Sequence, residues 1–336
     1  MNTAYKAERT AWEKTVFGKK LHGKTAARKI SAEEVPAKKV SFRKASPSRK
    51  AFLIFNYLLM TAVCLSCVLP FVHLLAVSLS SRSAVAAGKV AFLPVEFTTS
   101  SYEYALVKGD FLRSLGNSLA RTFLGTLLNL VLMILTAYPL SKGKDKLMGR
   151  NLYMSFFVFT MLFNGGMIPT YLVVSRTGLK NTIWSLILPG ALPVYNMIIL
   201  MNFIRGLPEE LQEAARIDGA TEFQLLYKVV LPLLKPSLAT VGLFCIVNHW
   251  NDWFSGIIYM TSREKYPLAT YLQTLLRSFE SLMRQAGSNY SLLVSQINVQ
   301  TGRAAQLFLA ALPVMLIYPF LQKYFTSGLT LGSVKG

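Results

Sequence analysis

The sequence predicts an all-α membrane protein that crosses the bilayer six times. The chain of 336 residues is 52% hydrophobic and only 15% charged, whereas soluble domains have about 25% charged residues. Six long segments contain at most one charged residue each, and about 20 apolar residues in a helix cross a hydrocarbon core of roughly 30 Å. These segments are Phe52–Ser81, Thr122–Ser141, Asn151–Ser175, Asn181–Ile204, Pro236–Ser262 and Ala304–Gln322.

Basic residues predict the orientation, because Lys and Arg concentrate in loops that stay in the cytoplasm. Residues 1–51 contain 14 of them against four Glu, and Lys142–Arg150 contains four against Asp145 alone. Arg176–Thr182, on the opposite side, contains two. We therefore expect both termini in the cytoplasm. Residues 82–116 and 261–303 are then outer loops, and 205–237 is an inner loop.

Residues 1–50 are predicted to be a disordered basic tail, followed by a six-span domain over residues 51–336. The first span begins too late and is too long for an ordinary cleaved signal peptide. The tail can rest on anionic lipid or bind nucleic acid. It has no folded recognition module and leads directly into a span, so we favour membrane lipid and expect no nucleic acid partner.

The stretch GKKLHGKT, Gly18–Thr25, fits the pattern of a phosphate-binding loop. Such a loop needs a buried strand before it and a helix after it. The preceding ERTAWEKTVF has no apolar run, and the following polar segment ends at Pro36. We therefore interpret the match as a coincidence and predict that the chain is not an enzyme and has no nucleotide site of its own.

The spans offer no evident catalytic or metal chemistry. Cys64 and Cys67 have the spacing of a redox or metal pair, but a membrane segment supplies neither thiolate stabilisation nor further ligands. We therefore predict that these two residues and Cys245 serve packing. No metal site and no catalytic residue is expected.

The inner loop from Arg205 to Pro236 predicts two helices separated by a glycine. A first helix should start at Pro208 and run to about Ile217, because proline suits a first helical position and acidic residues follow it. Gly219 then ends it. Thr221 and Gln224 form a capping box for a second helix, which we expect to end at Pro232.

This helix pair can be a simple elbow or a docking site, and composition alone does not decide between them. Ala214 and Ala215 are small enough for a partner surface to approach closely. Charged residues surround them, namely Glu213, Arg216 and Asp218.

The order of several motifs resembles one known family. EAARIDGA followed by LPLLKP is similar to the EAA loop of ABC importer permeases, which fits a cleft on a cytoplasmic ATPase subunit. FNGGMIPTYLVVSRTGLKNTIWSLILPG, VNHWNDWFSGIIYM and the terminal QKYFTSGLTLGSVKG resemble carbohydrate permeases of the maltose type, in the branch that serves complex oligosaccharides. The resemblance covers roughly residue 45 to the end. The matching loop positions are Glu213, Ala214, Ala215, Asp218, Gly219, Ala220, Pro232 and Pro236.

The resemblance implies a permease subunit of a sugar importer in the bacterial cell membrane. It also implies three kinds of partner: ATPase subunits that carry ATP and magnesium, a second similar permease, and an extracytoplasmic sugar-binding protein. This chain would then bind no cofactor itself. Loop residues 213–220, Arg216 included, would transmit movement of the ATPase pair to the spans.

Polar residues in the fifth span are candidates for the transport pathway. Trp faces stack on sugar rings, while Asn and Asp bond to hydroxyl groups; the alternative is an aromatic belt with interhelical hydrogen bonds. Asp252 is the lone charged residue in this span, which argues against ion-coupled secondary transport. A channel is a further alternative. The candidates are Asn248, His249, Trp250, Asn251, Asp252 and Trp253 in the fifth span, together with Asn196 in the fourth.

Two spans are predicted to be broken. Pro189 and Pro193 remove backbone donors from the fourth span. Asn164, Gly165 and Gly166 interrupt the third span. Both breaks can be hinges or can line a cavity.

Overall fold

The computed structural model describes residues 47–107, 110–143, 146–286, 300–316 and 319. None of these residues lies in a β-strand, so the predicted all-α class is confirmed. The chain divides into two units, Met1–Leu65 and Ser66–Gly336. In the first unit the described residues, 47–65, are helical throughout.

The helices are numbered here in chain order. Short 3-10 turns cover Leu188–Gly190 and Arg263–Lys265. The helices are α1 Pro47–Ser78, α2 Arg82–Ala86, α3 Ser100–Val107, α4 Asp110–Ser141, α5 Arg150–Leu162, α6 Met167–Arg176, α7 Trp184–Gly190, α8 Val194–Arg205, α9 Glu209–Ile217, α10 Glu222–Leu233, α11 Lys235–Asn251, α12 Phe254–Tyr259, α13 Leu268–Ala286 and α14, residues 300–316.

Two single helices, α1 and α4, are long and apolar enough to cross a membrane. Three bent pairs also qualify when each pair counts as one span: α5 with α6, α7 with α8, and α10 with α11. The described residues therefore contain two to five candidate spans. The last predicted span, Ala304–Gln322, is helical over 304–316, and most of its remainder lies outside the described residues.

The predicted breaks in the third and fourth spans are confirmed. The axes of α5 and α6 differ by 109°, and Gly166 adopts a φ of 95° at the start of α6. The axes of α7 and α8 differ by 53° across the predicted proline site. A left-handed φ favours glycine because a Cβ would clash with the backbone.

Helix α4 is the central element of the second unit, and it packs against α8 and α11. The core between these helices contains fully buried side chains from each of them, including Met133, Leu200 and Val241. Their burial fixes one face of α4 against two neighbouring spans.

Two boundaries differ from the prediction. Helix α4 begins at Asp110 rather than near Thr122, because Arg121 lies inside the helix and is buried. Helix α10 continues past Pro232 to Leu233 and contains a π-helical stretch, Leu225–Val230. The helix thus ends one residue beyond the expected Pro232, which lies in its last turn.

Helix α13 lies in the segment predicted as an outer loop and was not expected from the sequence. Its first residues, Leu268 and Tyr271, are buried in a small core with Phe111 and Trp250. Polar residues interrupt its apolar positions, so a search for uncharged runs does not detect it.

Candidate functional site

The loop between α8 and α11 forms the predicted pair of helices around a glycine. Helix α9 starts directly after Pro208, with Glu209 and Glu210 in its first turn. Gly219 has a φ of 79°, and no atom lies within 4 Å of the position a Cβ would take. The glycine is therefore required by the backbone conformation and not by lack of space.

The predicted capping box at the start of α10 is confirmed. The Gln224 backbone N–H donates to Thr221 Oγ1 at 3.3 Å, and the Thr221 backbone N–H donates to Gln224 Oε1 at 3.0 Å. Both donors would otherwise lack partners at the helix start.

One face of this loop is exposed. Glu213, Ala214, Asp218 and Gly219 are exposed, whereas Ala215, Arg216 and Ala220 are half-buried. Large apolar side chains are exposed beside them. These are Leu211, Ile217, Phe223 and Tyr227, with Ile217 at 85%.

The opposite face of the loop is bonded to the end of α4 through four side chains, called here the loop junction: Tyr138, Lys142, Arg216 and Glu222. Tyr138 donates its hydroxyl to Glu222 Oε2 at 2.6 Å, and Arg216 Nε donates to Glu222 Oε1 at 3.0 Å. The ammonium of Lys142 lies 3.8 Å from Glu222 Oε2 and 4.2 Å from the centre of the Tyr138 ring. One carboxylate thus joins three helices or their ends.

The charges of the junction affect one another. Burial lowers the pKa of Lys142, although Glu222 opposes this change. The hydrogen bond to Glu222 raises the pKa of Arg216. The ionised Glu222 carboxylate therefore favours the charged forms of both Lys142 and Arg216.

Along the first two thirds of α4, polar side chains bond to backbone groups in neighbouring helices and loops. We call Asn117, Ser118, Arg121 and Asn129 the polar stripe, because their spacing places them on one side of the helix. Asn117 Nδ2 donates to the carbonyls of Glu264 and Tyr266 at 2.9 and 3.2 Å. The backbone N–H of Leu268 donates to Ser118 Oγ at 2.7 Å.

Arg121 is 2% exposed and forms the charged member of the stripe. Its guanidinium contacts the Asp252 carboxylate and donates to the Asp252 carbonyl at 2.7 Å and to the Leu186 carbonyl at 3.3 Å. Asp252 therefore does not stand alone, which corrects the sequence-based expectation. Its carboxylate Oδ1 also accepts from the backbone N–H groups of Phe254 and Ser255 at 3.1 Å.

Asn129 performs the same task at the break between α7 and α8. Its Nδ2 donates to the carbonyls of Gly190 and Ala191 at 3.0 and 2.7 Å. Its Oδ1 lies 2.7 Å from His249 Nε2. Carbonyls freed by a broken helix need such partners inside a membrane.

The candidate pathway residues occupy different environments. Asn248 and Asn251 are exposed on α11, whereas His249 and Trp250 are buried in helix contacts. Asp252 follows the last residue of α11, where its backbone N–H caps the helix.

The remaining two candidates are half-buried. Trp253 is half-buried, with the guanidinium of Arg277 5.2 Å from its ring centre. Asn196 Nδ2 lies 3.7 Å from Cys245 Sγ, across the contact between α8 and α11.

Sequence reasoning missed Arg121, Asn129, Tyr138 and Glu222. The signal for Arg121 was its position at the edge of an uncharged run, one residue before Thr122. For Tyr138 and Glu222 no local pattern exists, since 84 residues separate them.

No cluster of metal-ligating side chains occurs within the described ranges. The stretch Gly18–Thr25 and the rest of residues 1–46 lie outside them.

Comparison with known proteins shows the family to which this chain belongs. Residues 140–331 match the family described as binding-protein-dependent transport system inner membrane component. The chain belongs to this family. The match includes the loop, the Asp252 region and three of the four junction residues, since Tyr138 lies just before it.

Two relatives from Bacillus subtilis (strain 168) are each 40% identical to the chain. One is Protein LplC, over 85% of this chain and 96% of the relative. The other is the polygalacturonan/rhamnogalacturonan transport system permease protein YtcP, over 84% and 97%. A solved structure, of a bacterial ABC transporter involved in the import of the acidic polysaccharide alginate, is 32% identical with a TM-score of 0.75. It covers 84% of this chain and 99% of the solved chain.

Proposed function

We propose that this chain is a membrane permease subunit of an ABC importer for oligosaccharides, driven by ATP hydrolysis on separate ATPase subunits. The observation that carries the proposal is the exposed, glycine-broken helix pair in a permease of the binding-protein-dependent family. A channel or a secondary transporter has no use for such a surface. The named relatives and the solved transporter support sugar as the transported solute.

The exposed face of the loop is the proposed docking surface for the ATPase. Ala214 lets a partner approach closely, and Ile217 supplies an apolar side chain for a partner pocket. Glu213 and Asp218 give the rim its negative charge. Arg216 bonds to Glu222, and Ala215 packs against the core of the bundle, so these two half-buried residues hold the helix pair against the spans. Ala220 donates its backbone N–H to the Ala215 carbonyl at 3.0 Å and closes the turn after α9.

Six spans and cytoplasmic termini complete the proposal. Residues 51–336 form the transport domain, and the basic residues 1–50 lie along anionic lipid at the inner surface of the cell membrane. A second similar permease would form the other half of the pathway, and an extracytoplasmic binding protein would deliver the sugar. The ATP and magnesium would bind to the ATPase subunits.

The proposed sugar contacts lie where α11 ends. Asn248, Asn251 and Asp252 offer amide and carboxylate groups for hydroxyls, and Trp253 offers a ring face. The Arg277 guanidinium beside that ring adds positive charge, which suits the uronate units of acidic oligosaccharides. His249 and Trp250 are buried and Asn196 is half-buried, and these three residues would hold the contact groups in position through helix packing.

Co-purification tests the docking proposal. The tagged chain is expressed with ATPase and permease subunits from the same cells, and the native chain is compared with Gly219→Pro and Glu213→Ala. Proline cannot adopt the φ of 79° and removes the N–H that donates to the Arg216 carbonyl at 3.0 Å. Glu210→Ala, on the same helix but outside the family motif, is the matched control.

We expect the ATPase to be recovered with the native chain and the control, and to be lost with Gly219→Pro. If both loop variants recover as much ATPase as the native chain, the loop is an elbow and the docking proposal is wrong.

A further inference from the structure

Glu222 connects side chains from three elements, the end of α4, α9 and α10. Its Oε2 accepts from Tyr138 at the end of α4, its Oε1 accepts from Arg216 at the end of α9, and Glu222 itself is the first residue of α10. The covalent connection from α9 to α10 passes through Gly219, which has open space around it. The carboxylate therefore provides a second connection between the two loop helices, in addition to the backbone turn.

The environment of this carboxylate makes its bonds strong. Tyr138 is 7% exposed and belongs to the same buried core as Leu225 and Leu226 of α10. Lys142 is held in place by a second bond, from its ammonium to Gln212 Oε1 on α9 at 2.8 Å. Hydrogen bonds to an ionised group are roughly twice as strong as neutral ones. The Glu222 side chain is itself 60% exposed, but its partners Tyr138 and Lys142 are only 7% and 12% exposed, so their positions are fixed.

Helix α4 can carry a displacement from the junction to the far side of the bundle. It is a 32-residue helix, so its length is about 48 Å at 1.5 Å per residue. Arg121 lies 17 residues before Tyr138 on this helix, about 26 Å away, and holds both the Asp252 carbonyl and the Leu186 carbonyl. A movement of α4 thus reaches the end of α11 at Asp252 and helix α7 at Leu186.

We propose that Glu222 and Tyr138 are positioning residues that transmit the movement of α9 to α4, and through α4 to the Asp252 break. This inference deepens the proposed function and rests on it. The loop would then have two roles. Its exposed face would bind the ATPase, and Glu222, the first residue of α10, would connect α9 to α4. Loss of this connection leaves docking intact and uncouples ATP hydrolysis from transport.

A nearby ion pair provides the matched control. Lys146, in the loop after α4, and Glu209 on α9 also form an ion pair, at 3.2 Å, with side chains 47% and 70% exposed. This pair has no buried member, whereas Glu222 bonds to the buried Tyr138 hydroxyl. Exposed pairs contribute little to holding helices together. Glu209→Gln should therefore behave like the native chain in every assay, whereas Glu222→Gln and Tyr138→Phe should not.

The first experiment measures the connection directly in the full chain in lipid nanodiscs. Spin labels are placed at Ile217 on α9 and Leu135 on α4, both exposed, in a background without the three native cysteines. Pulsed electron spectroscopy then gives the distribution of distances between the labels. We expect a narrow distribution for native and Glu209→Gln, and one at least about twice as broad for Glu222→Gln and Tyr138→Phe. An unchanged distribution in both junction variants overturns the proposal.

The second experiment measures coupling in the complex with its ATPase and permease partners, in proteoliposomes. The probe is a mixture of oligogalacturonides presented with the binding protein. We expect Glu222→Gln to recover the ATPase as the native chain does, and to move at least about fivefold less sugar per ATP hydrolysed. Normal sugar transport per ATP in both junction variants contradicts the inference.

The two proposals fail in different ways. If no ATPase is recovered even with the native chain, the proposed function is wrong, and the transmission proposal, which rests on it, is overturned too. If ATPase is recovered and all variants couple normally, only the positioning role of Glu222 and Tyr138 is wrong.

Discussion

Removal of the Arg121 guanidinium should be among the most destabilising single changes in the bundle. Arg121→Met keeps much of the side-chain volume but leaves the Asp252 carboxylate without its cation, and two carbonyls lose a donor. Breaking a buried ion pair from one side costs about 3–5 kcal/mol. Because the Asp252 side chain is 26% exposed, we expect the lower end, about 3 kcal/mol.

The same helix provides a control for this prediction. Arg113 pairs with Glu264 at 3.6 Å, but the two side chains are 54% and 76% exposed. Arg113→Met should therefore cost at most about 1 kcal/mol. The assay is the free energy of unfolding in mixed detergent micelles, followed by tryptophan fluorescence.

A double variant separates the charge from the packing. Asp252→Asn in the Arg121→Met background removes the unpaired carboxylate, so it should restore roughly half of the lost stability. The reasoning is refuted if Arg121→Met costs no more than Arg113→Met, or if the second substitution makes the protein still less stable.

Three further changes test individual contacts by the same unfolding assay. Gly125→Ala places a Cβ 2.5–2.9 Å from three ring atoms of His249 and should cost about 1–3 kcal/mol, whereas Gly116→Ala, with nothing within 4 Å, should be neutral or stabilising. Equal effects at the two glycines would contradict the contact. Thr221→Ala removes the cap of α10 and should cost about 1 kcal/mol, while a serine there retains it. Gly219→Ala should cost about 1 kcal/mol from its positive φ, and no change would mean that the turn relaxes easily.

Features that depend on neighbouring residues in the chain were predictable from the sequence. Uncharged runs marked the apolar segments, and Gly166 and Pro193 marked the breaks in two of them. The capping residues Thr221 and Gln224 marked the start of α10. In each case the physical cause lies within a few neighbouring residues, so the pattern can be recognised from the sequence alone.

Features that depend on distant residues were not predictable. Arg121 was excluded from its span because charge normally marks a loop, and only the fold brings Asp252, 131 residues away, to it. The same applies to Tyr138 and Glu222. Such pairs satisfy carbonyls or charges that folding itself creates, so their partners cannot be read from local sequence.

The measurement that tests the central claim most directly is sugar uptake into proteoliposomes containing the assembled importer. ATP is enclosed in the lumen with the ATPase, and the binding protein and labelled oligogalacturonides are added outside. We predict uptake that requires ATP and stops with a non-hydrolysable analogue, with Gly219→Pro reducing it to background. Uptake of equal rate without ATP, or uptake driven by an ion gradient alone, would contradict the assignment of this chain to an ATP-coupled importer.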